Sequence, residues 1–156
     1  MPQPNPSATL ALAGRLVRPG GVVACVESHL AALGAGWHSW PPSTAYGRLL
    51  EAMLPILSAA GGRVDTGLNS ATRSWPADCP SRRSTEHQLV GVDAPAMCRY
   101  MADSLRSMRA TALRLGLPCP TADEIDGIEA EMLSDAARPG AVFNGPVVVT
   151  AWARHA

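Results

Sequence analysis

The chain has no lysine, a single phenylalanine and only two tyrosines among its 156 residues. Its 13 cationic residues are all arginine and are matched by 13 Asp plus Glu, so the net charge is zero. That balance argues against a basic nucleic-acid-binding protein, whose phosphate-binding face needs an excess of positive charge. No apolar run approaches the roughly 18 residues that a membrane span requires. The opening Met1–Ser7 (MPQPNPS) carries three prolines, with no cationic start leading into an apolar core. It therefore lacks the form of a secretory leader and points to the cytoplasm.

Cysteine is sparse. Cys25, Cys79, Cys98 and Cys119 include no Cys-x-x-Cys pair and have no histidine at the short spacings that converge on zinc. No metal site is expected, and no disulfide framework either, since a chain of this length builds a core without staples. Arginine in place of every lysine, with 14 Gly and 14 Pro, reflects a bias toward GC-rich codons. A further absence is local: Ser70–Glu86 (SATRSWPADCPSRRSTE) has no Val, Ile, Leu, Met or Phe. A structureless stretch of that length is uncommon inside a compact domain, so residues 67–89 are expected to be irregular or disordered. A GC-rich back-translation of Asn69–Gly91, read one base out of register, gives an apolar helix–turn–strand pattern. A shifted reading frame thus stands beside a genuine loop as the explanation.

The remainder is well patterned, and 47% of the chain is hydrophobic, which suits one domain. Ala8–Val17 reads as a short helix stopped by Arg18-Pro19-Gly20-Gly21. Val22–Val26 follows as a five-residue apolar run, the pattern of a central strand buried on both faces of a parallel sheet. Ser28–Pro42 resembles a loop or lid. Ser43 caps a helix through Tyr46, Leu49, Leu50, Met53, Leu54 and Leu57, ending at Gly61-Gly62. Asp93 starts another, with Met97, Met101, Leu105, Met108, Ala112 and Leu115 on one face. Thr121 and Glu124 form a capping box before Ile125, Ile128, Met132 and Leu133. Val147–Trp152, introduced by Gly145-Pro146, reads as a closing strand.

These segments, in this order, resemble the C-terminal half of class I S-adenosylmethionine-dependent methyltransferases. The features that carry the likeness are Leu16-Val17-Arg18-Pro19-Gly20-Gly21 before a strand ending at Glu27, then Trp40-Pro41-Pro42, Gly61-Gly62, Thr121–Asp126 and Ala151-Trp152-Ala153-Arg154. The resemblance implies an α/β fold: a partial Rossmann-like methyltransferase sheet from the fifth strand onward, with flanking helices and a C-terminal antiparallel strand. It covers nearly all of residues 1–156 as one partial domain, apart from Gly67–Leu89. The family holds its cofactor with a Gly-rich turn after the first strand and an acidic residue after the second, and neither has a counterpart here. The cofactor-binding half is expected upstream of Met1. S-adenosylmethionine is thus the cofactor of the parent fold and is not expected to bind tightly to this chain alone. The expected partners are a small-molecule substrate of the parent enzyme and a missing N-terminal half or a second copy, with no nucleic acid and no membrane. The alternative is a non-catalytic interaction module that completes its sheet with a partner chain.

Five residues are candidates for substrate binding. Glu27 stands at the C-terminal end of a strand, the edge at which open α/β sheets collect ligands, or is a solvated strand-end carboxylate. His29, like His38, offers an imidazole that titrates near neutral pH, as a base or as a plain surface group. Trp37, Trp40 and Tyr46 can wall a pocket for a flat substrate or serve as lid packing. No residue is assigned a catalytic role, because methyl transfer from an activated sulfonium depends mostly on alignment.

Overall fold

The structure is a computed structural model and describes residues 5–29, 39–62, 75, 79, 82–91 and 94–156, except for the side chains of Pro6 and Leu89. Trp37, His38 and Asp93 lie outside the described residues. In chain order the elements are α1 (Pro6–Arg15), β1 (Val22–Ser28), β2 (Ser39–Trp40), α2 (Thr44–Ala59), β3 (Arg82–Val90), α3 (Ala94–Arg114), α4 (Ala122–Ala136) and β4 (Val142–Arg154). β1, β2 and β3 each pair with β4. The chain divides into two compact units, residues 1–35, 63–88 and 146–156 in one, and 36–62 and 89–145 in the other.

In the first unit α1 packs on β1. Asn5 caps the helix by accepting from the Ala8 amide at 3.0 Å, and Leu10 is its buried anchor. The turn that follows needs both glycines for different reasons. Gly20 has φ +78°, the left-handed region that L side chains avoid. At Gly21 a Cβ would lie 2.3 Å from Val17 Cγ1 and 2.9 Å from the Arg18 carbonyl oxygen. The far end of β4 clasps this turn. Gly20 N–H donates to the His155 carbonyl at 3.0 Å, His155 N–H to that of Gly21 at 2.9 Å, and Arg154 Nη1 to that of Gly20 at 2.5 Å.

β1 corrects the expectation of a central strand buried on both faces of a parallel sheet. It runs antiparallel to β4, with Val23 opposite Ala153, Cys25 opposite Ala151 and Glu27 opposite Val149. Directly opposed residues share a face, so these form the inner one. Val22 and Val26, on the outer face, are 50% and 64% exposed. A short apolar run reads the same whether one face or two is covered, which is why periodicity misjudged it. β4 alternates strictly: Phe143, Gly145, Val147, Val149, Ala151 and Ala153 are buried, and the residues between them are half-buried. Pro146 lies inside this strand and does not introduce it. It falls between the segment paired with β2 (142–143) and the segment paired with β1 (148–154), where the missing N–H breaks neither ladder.

β3 is the second correction. Arg82–Val90 is a strand, although 67–89 was expected to be irregular. Its described residues up to Gln88 are polar and mostly exposed, so they carry none of the apolar alternation by which a strand is recognised.

In the second unit α2, α3 and α4 pack on one another. α2 is capped as expected, the Ser43 hydroxyl accepting from the Tyr46 amide at 3.2 Å. Leu49, Met53 and Ile56 are its buried face. α3 buries Cys98, Met101, Ala102, Leu105 and Ala112, a stripe rotated slightly from the expected one, so that Met97 and Met108 flank it and Leu115 is exposed. α4 has both halves of the capping box: Thr121 Oγ1 accepts from Glu124 N–H at 3.2 Å, and the Glu124 carboxylate accepts from Thr121 N–H at 2.7 Å. Ile125, Ile128 and Met132 face inward.

The backbone and then the hydroxyl of Thr121 hold the Glu124 carboxyl below its ordinary value. A depressed carboxyl stabilises the fold above its unfolded value and ceases to do so as pH falls through the folded one. Thr121→Ala removes the helix N-cap and should cost about 1 kcal/mol in urea unfolding at neutral pH, and the deficit should narrow as pH falls below the ordinary glutamate value. Gly21→Ala should cost about 1–3 kcal/mol, because the Arg18 carbonyl it meets is backbone and cannot swing aside.

Candidate functional site

The C-terminal end of β1 brings Glu27 and His29 to one face of the first unit, since residues two apart along an extended chain point the same way. His29 lies one residue beyond the strand, and its N–H donates to the Val147 carbonyl at 2.8 Å, so the ladder carries on through it. Its Nδ1 is buried and has no hydrogen-bond partner among the described residues. An imidazole nitrogen in that state costs about 1–3 kcal/mol relative to a satisfied one. Such an atom in a native fold calls for a donor. A strand-end carboxylate and a half-buried imidazole are each groups that can accept a proton from a hydroxyl or amine.

The aromatic candidates divide. Trp37 lies outside the described residues, as does His38. Trp40, in β2 of the second unit, is 69% exposed. Tyr46, in the same unit, is core: it is 2% exposed, its hydroxyl donates to the Asn144 carbonyl at 2.7 Å, and its ring meets Phe143 edge-on with centroids 5.4 Å apart. Burial, and secondarily the neighbouring Cys98, pushes its phenol above the ordinary tyrosine value. Burial likewise pushes the Cys98 thiol up to about 11, which leaves it protonated and unreactive at neutral pH. Of the candidate residues, Glu27 and His29 thus lie two positions apart at the end of β1, and Tyr46 serves packing.

The Gly-Gly turn adjoining β1 lies at the strand's N-terminal end, away from Glu27 and His29. Its amides are already committed, Gly20 N–H to His155 and Gly21 N–H to Arg18. They cannot cradle a ligand as a Gly-rich cofactor turn does. Among the described residues, no three His, Cys, Asp or Glu side chains are placed to hold a metal ion, and no helix is long and apolar enough to cross a membrane.

Two further clusters went unread in the sequence. Arg106 donates to Asp103 at 2.8 Å and to Asp126 and Glu129 at 2.5 Å, tying α3 to α4. The hydrogen bonds to Asp126 and Glu129 raise its already high pKa. An open groove also runs between α2 and α4. The sequence signal for both was present, as charges at three- and four-residue steps on helices, but which helices meet is a tertiary fact. No protein-family model and no curated protein matches the chain.

Tyr46→Phe should destabilise the protein by about 1 kcal/mol, because the Asn144 carbonyl loses its donor. Trp40→Ala should stay within about 0.5 kcal/mol of the parent, as befits an exposed side chain. Urea denaturation followed by far-ultraviolet circular dichroism measures both.

Proposed function

We propose that the chain is the C-terminal portion of a small-molecule S-adenosylmethionine-dependent methyltransferase, and that by itself it transfers no methyl group. The observation that carries this reading is the β1–β4 pairing. A helix, a Pro-Gly-Gly turn and a strand come early in the chain, and the final strand runs antiparallel beside that strand. The methyltransferase fold ends in the same way. β3, α3 and α4 intervene in the order that the likeness requires. On this reading β1 is the fifth strand of a partial Rossmann-like sheet.

Glu27 and His29 then stand where the parent enzyme meets its substrate. Glu27 accepts a hydrogen bond from the nucleophilic hydroxyl or amine, and the half-buried His29 helps to position that group. The sulfonium methyl of S-adenosylmethionine is the electrophile in the complete enzyme, and the residues that bind it belong to the other half of the fold.

A second reading has one observation in its favour. The outer face of β1 leaves Val22 and Val26 half or more exposed, as an interaction module that completes its sheet with a partner chain would.

Isothermal titration of S-adenosylmethionine into the purified chain, with a parallel radiolabelled methyl-transfer assay over hydroxyl and amine acceptors, tests the proposal. The expected result is no binding tighter than about 1 mM, equivalent to roughly −4 kcal/mol, and no transfer. Micromolar binding would contradict the claim that this chain lacks the cofactor site.

A further inference from the structure

The open groove of the second unit has a regular build. α2 lines it with Arg48, Glu51, Ala52 and Pro55, and α4 lines it with Glu124, Gly127, Ile128 and Glu131. Both sets follow the steps of three, four and seven residues that define one helical stripe. The Arg48–Glu131 ion pair joins the start of one stripe to the end of the other, so the two helices run antiparallel along the groove. Pro118–Pro120 wall the Glu124 end. The trough holds about 740 Å³. Its length is two helical turns, about 10 Å at 1.5 Å per residue.

The floor is made for close approach. Ala52 and Gly127 are small, Ile128 is buried beneath them, and a Cβ built on Gly127 meets nothing within 4 Å. The rim is acidic. Arg48 neutralises Glu131, while Glu51 and Glu124 have no cationic partner among the described residues. Two carboxylates without a cationic partner among the described residues, Glu124 also accepting from Thr121, therefore flank an apolar floor in a chain whose overall charge is zero.

We propose that this trough is the docking site for an amphipathic α-helix of a partner protein. That helix lays small aliphatic residues on Ala52, Gly127 and Ile128 and directs Lys or Arg side chains at Glu51 and Glu124. Charge complementarity selects a basic helix over an acidic one. The matching stripes favour a helix over an extended segment, because a helix offers anchors at the same spacing. The site shares no residue with the Glu27 and His29 candidates and does not depend on the methyltransferase reading.

The test uses the full chain and two fluorescein-labelled 16-residue helical peptides, one with an Ala/Leu face flanked by lysines and its twin with glutamates in their place. Fluorescence anisotropy should show the lysine peptide binding at least about tenfold more tightly than the glutamate peptide, and binding should weaken with salt. Gly127→Leu projects a side chain into the trough and should abolish binding, and Glu51→Lys should weaken it about tenfold or more. Thermal unfolding shows whether the Gly127→Leu protein is folded. A readout that needs no variant is the Cys119 thiol, half-buried at the walled end. Its alkylation by iodoacetamide should slow several-fold when the lysine peptide is bound. Absence of lysine-peptide binding, equal binding of the two peptides, or full binding by folded Gly127→Leu with unprotected Cys119 would each overturn the proposal.

Discussion

The sheet depends on β4. The other three described strands find main-chain partners on it, and β4 supplies the first unit with the alternating inner row of Val147, Val149, Ala151 and Ala153. A strand of 13 residues is long by ordinary standards. Its length lets one end pair with β2 and the other with β1, with Pro146 between the two paired segments. Its last residues reach the Pro-Gly-Gly turn, where His155 and Arg154 bind the backbone of Gly20 and Gly21. The two glycines therefore have a structural reason to be there: one supplies a left-handed φ, and the other leaves room for the Arg18 carbonyl. A motif suggestive of a cofactor enzyme is here a clasp between the first strand and the last.

The helical unit rests on different physics. Side-chain burial supplies its cohesion, with Leu49, Ile56, Met101, Leu105, Ile125 and Met132 almost wholly out of water. Burying side chains of this kind contributes about 1.5–3 kcal/mol each before conformational entropy is counted. The Arg106 cluster adds little by comparison, because its carboxylates at Asp103 and Asp126 are well exposed and screened. What the charges add is orientation: Arg48–Glu131 and Arg106–Glu129 fix how α4 lies against α2 and α3.

Much of this was legible in the residues. Ser43 and Thr121 announced the starts of α2 and α4 because a hydroxyl before an apolar stripe satisfies amides that the helix cannot. The valine run ending in Ala151-Trp152 announced β4. What failed has specific causes. Val22–Val26 reads as a strand covered on both sides because five apolar residues in a row conceal which face is free. β3 was missed because Arg82–Gln88 is polar, and its strand character comes from pairing with β4. Of the candidate residues, Glu27 is readable as a strand-end carboxylate from the apolar run before it, whereas the burial of Tyr46 against Phe143 joins residues nearly a hundred positions apart and leaves no local trace. For the α2–α4 groove the charge spacing is legible, but which two helices meet is a tertiary fact.

Nuclear Overhauser spectroscopy on the isotopically labelled protein tests the central claim, the antiparallel pairing of β1 with β4, most directly. Cross-strand contacts should join Val23 to Ala153, Cys25 to Ala151 and Glu27 to Val149, a register in which one number rises as the other falls. Contacts that rise together along β1 and β4, or none between them, would contradict the account and remove the ground for the methyltransferase reading.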